Sequence, residues 1–224
     1  MMRAVRFFAR SAVLGAFASV LSACVSVLPE ADPAAPRFGV NDVDDLPAGD
    51  AVEWSLSVDD PIATRGVDTV KIARVEDGSR YVYYAGGEWV DRAPRLLQTA
   101  LVRSFQNTNR IIGVGAAASQ PIADYVLKLD IRSFETQKTK SGMVAVADVY
   151  VRLVDVRGRN YAAQRFVQKL DIRRDTAGDA ARTLNRASMQ LIPEIVEWVL
   201  IEGERVNDTE GSQAGLGDFR KRAL

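Results

Sequence analysis

The residue types that carry most enzymatic chemistry are nearly missing from this sequence, which has no histidine and one cysteine, Cys24. Without histidine the commonest general base, the histidine-based nucleophilic triads and most catalytic zinc sites have no seat. There is no Gly-x-Ser-x-Gly turn for a nucleophilic serine and no Gly-x-x-x-x-Gly-Lys-Ser/Thr phosphate loop. Gly113-Val114-Gly115-Ala116-Ala117-Ala118 imitates a dinucleotide-binding turn. Such a turn must open a helix, whereas here Pro121 follows almost at once, so the run reads as a loop between strands. Asn41-Asp42-Val43-Asp44-Asp45 crowds three carboxylates as a calcium loop does, but lacks the glycine and distal glutamate of that motif. It reads as a solvated, self-repelling linker. Acid–base carboxylate pairs of the glycosidase kind stay open in principle, although no spacing singles one out. The expectation is a chain with no catalytic residue, no metal site and no bound cofactor.

What remains is the thiol, and its surroundings specify its chemistry. Arg3, Arg6 and Arg10 precede an uncharged run, Ser11 to Val20, and no acid appears before Glu30. A positive flank, a short apolar run and small residues before a cut make a secretory signal. The apolar run is far below the roughly 20 residues that span a bilayer, so it does not read as a permanent anchor. Leu21-Ser22-Ala23-Cys24 resembles the bacterial lipobox, which implies cleavage between Ala23 and Cys24 and acylation of Cys24 with a diacylglycerol and an N-acyl chain, palmitate among the acyl groups. Several acyl chains on one residue give stable membrane attachment. With one cysteine no intramolecular disulfide can form. Removing residues 1–23 takes away three arginines and no acid, leaving 26 basic against 29 acidic side chains, and nothing basic enough to suggest nucleic acid. Val25 rather than aspartate follows Cys24. By the sorting rule of enterobacterial lipoproteins, that favours the periplasmic face of the outer membrane over the inner membrane.

A second group with chemical potential is aromatic: Tyr81, Tyr83, Tyr84 and Trp89 could wall an acyl chain or form a partner surface. Its simpler reading is a strand whose alternate tyrosines pack inward.

These residues need elements to hold them. Residues 24–51 are rich in Pro, Ala and Asp with few large apolar groups, and read as an acylated cysteine on a flexible tether spanning roughly 25–30 Å. A domain over 52–201 follows. Val52, Trp54, Leu56 and Val58 alternate with polar residues as a half-buried strand. Val70 to Val75 and Tyr81 to Tyr84 are strands around the turn Asp77-Gly78. Asp91 and Pro94 open a helix to Asn107, with Leu97, Leu101, Ser104 and Phe105 on one face. Arg110 to Val114 is a short strand; Tyr125 to Phe134, Met143 to Val156 and Tyr161 to Ile172 make an antiparallel meander, with residues 136–142 as its first hairpin loop. From about Gly178 to Ile201, Ala180, Leu184, Ala187, Leu191, Ile195 and Trp198 form a helical stripe, in which Pro193 should kink the helix or end its first half near Ile192. Residues 202–224 are polar and read as a disordered tail. The fold class expected is α+β: a mostly antiparallel sheet with two amphipathic helices covering one face. An open sheet edge would favour pairing of the chain with itself, as a homo-oligomeric ring or dimer.

The lipobox, the Tyr83-Tyr84 and Trp89 block, Asp91-Arg92-Ala93-Pro94-Arg95-Leu96-Leu97-Gln98, the Ala123-Asp124-Tyr125-Val126-Leu127 strand and Leu153-Val154-Asp155 together resemble the ABC-type transport auxiliary lipoproteins, the family of paraquat-inducible protein C. The resemblance covers roughly 52–201. It implies a non-enzymatic, membrane-anchored accessory of a transport system comprising an ATPase, a permease and a mammalian-cell-entry (MCE) type lipid-binding protein that moves lipids between membranes. A structural lipoprotein of envelope assembly and a periplasmic hydrolase are the competing readings.

Overall fold

The computed structural model describes residues 34–222 other than position 156, with side chains placed as far as residue 209. The signal segment, Ala23 and Cys24 lie outside the described residues.

Among the described residues nine strands and two helices follow in the order β1 (Arg37–Phe38), β2 (Val52–Val58), β3 (Ile62–Ala63), β4 (Lys71–Glu76), β5 (Arg80–Trp89), α1 (Ala93–Thr108), β6 (Ile111–Ala116), β7 (Tyr125–Thr139), β8 (Gly142–Asp155), β9 (Asn160–Ile172) and α2 (Ala177–Arg222). The local chemistry accounts for the boundaries. The β4–β5 hairpin closes through Asp77 (φ 51°) and Gly78 (φ 76°), two left-handed residues in the Asp-Gly order that such turns favour. Pro94 sits in the first turn of α1, where its missing N–H is not needed, and Asn109 (φ 52°) ends the helix in the left-handed conformation.

The long strand β7 organises the sheet. Along one side it pairs antiparallel with β8 from Tyr125↔Asp155 to Thr139↔Gly142, and β8 pairs with β9 in the same sense. Along its other side three short strands follow one another, all parallel to it: β2 at Leu56↔Tyr125, β3 at Ile62↔Asp130 and β4 at Arg74↔Thr136. β6 adds parallel to β2, β5 antiparallel to β4, and β1 parallel to β5. The sheet is therefore mixed, with its long ladders antiparallel and the short ones along the other side of β7 parallel; period-two alternation shows which residues face inward but not the direction of the neighbouring strand.

One core unites the inward residues of these strands with both helices. Leu127, Leu129, Ile131, Phe134, Ala147, Val149, Val151 and Leu153 cluster with Leu97, Leu101 and Phe105 of α1 and with Ala180, Leu184, Ala187, Leu191 and Ile195 of α2. Pro193 does not end α2, which continues unbroken to Arg222.

Four further expectations need correction. Residues within the supposed tether are a strap on the domain: Phe38, Val40, Val43 and Leu46 pack against the core. The Val43 N–H donates to Ser104 Oγ (2.8 Å), the Asn41 N–H to Asn185 Oδ1 (2.8 Å), and Asn107 Nδ2 to Asp42, Asp44 and the Val43 carbonyl. The crowded carboxylates are thus partly engaged by Asn107. Four apolar side chains suffice where a groove already exists, and averaged composition hides them. The tail expected from 202 is helix through Arg222. Glu202 and Arg205 pair one turn apart, Val206 is buried, and Glu204 accepts from Trp54 Nε1 (3.3 Å). The hairpin loop shrinks to Lys140 and Ser141, because β7 pairs as far as Thr139. Gly113 and Gly115 lie in β6, paired with Ser55 and Ser57, and open no helix.

Candidate functional site

The aromatic group on β5 is split by the pleat. Tyr81 and Tyr83 project on one side and are 39% and 40% exposed. Tyr81 leans on Gly66, where a Cβ would fall 2.8 Å from its ring, and Lys71 Nζ lies 5.5 Å from the Tyr83 ring centroid. Burial against this loop and the nearby Glu135 raise the Tyr81 phenol above its ordinary value. Tyr84 lies on the other side of the strand. Its hydroxyl donates to Asp175 Oδ1 (2.7 Å) and meets Thr136 Oγ1 (3.0 Å), while Arg74 bonds Asp175 (2.8 Å) and stacks on the ring. Burial pushes the Tyr84 pKa up to about 12, so the hydroxyl is a fixed donor rather than a base. Trp89 is core, 1% exposed, with its ring 5.6 Å from that of Phe134. Two of the four candidates, Tyr81 and Tyr83, thus share an exposed surface; Tyr84 and Trp89 do not join them.

On the same side of the sheet as Tyr81 lies a polar group that sequence reasoning missed. β7 carries a bulge between Ile131 and Ser133. Beyond it the inward phase moves to Phe134, and Glu135 lands on the reverse side beside Val146. Glu135 is 2% exposed, accepting from the Phe134 N–H (2.8 Å) and from Gln137 Nε2 (2.9 Å). Burial holds its carboxyl above the usual glutamate range, with Asp148 adding to the shift. Asp148, 6% exposed, accepts two bonds from the Arg165 guanidinium, 2.8 and 2.5 Å. The signal was legible: the apolar series 125, 127, 129, 131 resumes at 134, a jump of three that marks a bulge. This pair is internally satisfied, since each carboxylate has its donors within the strands, and neither lines a described cleft.

Three surface clefts are better placed to receive something. One of about 300 Å³ at the β7 start and β8 end includes Asp124 and Asp155. Both carboxylates are already occupied. Asp124 accepts from Ser55 N and Oγ, and Asp155 from the Arg157 and Arg159 amides, which with the nearby arginines hold it below the usual aspartate range. A second cleft, about 400 Å³, separates α1 from the residues after β6, with Arg95, Arg103, Gln106 and Gln120 on its walls. Gln98 at its base is buried and fully used, donating to the Val58 and Asp59 carbonyls. The third, also about 400 Å³, lies at the start of α2 among Arg173, Asp179, Arg182, Thr183, Asn185 and Arg186. Arg174 (2.8 Å) and Arg182 (2.6 Å) both bond Asp179 and draw its carboxyl below the usual range. Among the described residues no group of three or more carboxylates or thiols could hold a metal ion, and no helix is long and apolar enough to cross a membrane. The geometry offers surfaces for binding, with its polar groups engaged in holding the fold.

Comparison with known proteins agrees with this architecture. A crystal structure of a Xanthomonas campestris protein superposes with a TM-score of 0.69 at 24% identity, covering 78% of this chain and 98% of that one. A second crystal structure, of an uncharacterised protein, gives 0.57 at 16% identity over 74% and 98%. An uncharacterised protein of Bradyrhizobium diazoefficiens is 28% identical over 160 residues, 69% of this chain; the chain spans only 42% of that relative's length. Residues 43–196 match the ABC-type transport auxiliary lipoprotein component, more than half the sequence and all of β2 to β9 with the first part of α2, and the chain belongs to that family.

Proposed function

We propose that this protein works by being held at a membrane and docking a transport partner, without catalysing a reaction. The observation that carries this reading is the family match over 43–196, which begins within the strap and takes in both β5 and the first part of α2. In this reading Cys24, freed by cleavage after Ala23 and acylated, fixes the domain to the periplasmic face of the outer membrane. The partner is an MCE-type lipid-binding protein, fed by a permease and an ATPase, and the cargo is lipid passing between membranes. The exposed Tyr81 and Tyr83 supply amphipathic contact area of the kind that partner surfaces use, large rings at low entropic cost. The engagement of Glu135, Asp148, Asp124 and Asp155 within the fold supports a binding role, because acid–base catalysis needs carboxylates free to reach a substrate.

The test is capture of the full-length, processed protein from membranes with its neighbours cross-linked in place. Recovery of an MCE-type protein with its permease supports the assignment. Recovery of an outer-membrane assembly machine, with no transport component, overturns it. A Cys24→Ser chain should leave the membrane fraction and lose that partner.

A further inference from the structure

The cleft at the start of α2 lies beside the point where the chain enters the fold. Phe38 of the strap and Ala177, the first residue of α2, both approach Gly87 so closely that a Cβ there would sit 2.9 and 2.8 Å from them. Asn185, on the cleft wall, accepts the Asn41 N–H at 2.8 Å. Only residues 25–33 separate Cys24 from the described chain, a reach of at most about 35 Å when fully extended. An anchor at Cys24 would therefore keep this end of the domain close to the lipid surface.

The charge at that end is suited to the same surface. Asp179 is the acid on the cleft wall, and it is taken by Arg174 and Arg182. Arg186 bonds only the Thr183 hydroxyl (3.1 Å), and neither Arg173 nor Arg186 forms an ion pair among the described residues. Two guanidinium groups are left over in a concave, solvent-open site of about 400 Å³, in a mature chain whose net charge is negative. Guanidinium presents a planar fork that fits phosphate oxygens in pairs.

We propose that Arg173 and Arg186, with Arg182 beside them, form a docking surface for anionic phospholipid headgroups and set the orientation of the domain on its membrane. The proposal rests on the reading of Cys24 as the anchor. The surface acts only within a Debye length of the headgroups, about 10 Å at 0.1 M salt, so the anchor supplies proximity and the arginines supply orientation.

The experiment uses the full acylated protein on vesicles of phosphatidylcholine alone and of phosphatidylcholine mixed with phosphatidylglycerol. Amide hydrogen exchange is followed over residues 171–187. Exchange there should slow several-fold on the anionic vesicles relative to the neutral ones. The difference should vanish in an Arg173→Gln/Arg186→Gln chain and in high salt. Equal exchange on both vesicle types, or an undiminished difference in the double variant, overturns the proposal. Inorganic phosphate alone at matched ionic strength should not reproduce the slowing; if it does, the cleft is a site for a free anion and the membrane assignment fails. Failure of the anchor reading shows separately, as wild-type chain that does not stay on neutral vesicles. The full-length Cys24→Ser chain is then run on the anionic vesicles against the same criteria.

Discussion

The strand pair β7–β8 points alternate residues into two environments, and the two sides are held in place differently. On one side Leu127, Leu129, Ile131, Val149, Val151 and Leu153 meet both helices in a single apolar cluster. On the other, Val146 and Val154, with Val75 of the neighbouring β4, are buried but stand apart from that cluster, among Glu135, Asp148 and the Arg165 of β9 that bonds Asp148. Burial of the same degree thus arises in two ways. On the helix side it comes from close packing, which resists any change of volume. On the reverse side the short apolar side chains share the surface with longer polar ones such as Arg165, which can relax and readmit water.

If that contrast is right, the cost of a substitution should depend on the side of the strand more than on exposure. Leu153→Ala, at 0% exposure on the helix side, should destabilise by about 3–4 kcal/mol, read from urea unfolding midpoints. Gly203→Ala sharpens the same side. A Cβ there would come within 2.4 Å of the Trp54 ring, which is edge-packed on Tyr125 at 5.4 Å and has little room to move. Although alanine favours a helix, overpacking should win by about 1–3 kcal/mol. Val146→Ala, 3% exposed on the reverse side, should cost about 1 kcal/mol, the transfer of its methyl groups with little cavity penalty. A loss for Val146→Ala as large as that for Leu153→Ala would break the comparison.

The smallest expected effect is one of pH. Glu135 is held above the ordinary glutamate value by burial, so its folded form prefers the proton more than its unfolded form does. Its contribution to stability is present at acid pH and is lost as the pH rises through the raised value. Stability measured from acid to neutral pH should therefore carry a downward component in the wild type that is absent in Glu135→Gln. An unchanged slope in the variant would move the origin of that component elsewhere.

Much of this was readable in the residues themselves. Val52 to Val58 forms the strand its alternation implies, and the α2 stripe from Ala180 to Ile195 is buried as its spacing requires. The chemistry that the Tyr81–Trp89 group could offer was only half legible, because the pleat separates Tyr81 and Tyr83 from Tyr84 and Trp89 aims into the core. The parallel arrangement of β2, β3 and β4 along β7 was not legible at all; β3 is two residues long, and strand direction is decided by tertiary closure rather than by any local pattern. The helical continuation beyond 202 was not legible either, and Gly203 shows why. In a polar stretch it looks like a helix breaker, whereas its role is to admit the edge of Trp54.

The strap gives the molecule a mechanical property. It is tied down by a two-residue strand, a few side-chain bonds and four apolar contacts, and it lies between the N-terminal side of the chain and β2. Tension applied from the N-terminus reaches the strap before it reaches the core, and because β1 is parallel to β5 at its extreme end, the first contacts to carry the load are few. Peeling residues 36–50 would free a segment of roughly 50 Å contour length while leaving β2 to β9 and both helices in place. Pulling the chain from its N-terminal side should therefore show a small extension from the strap at a lower force than the main unfolding of the core.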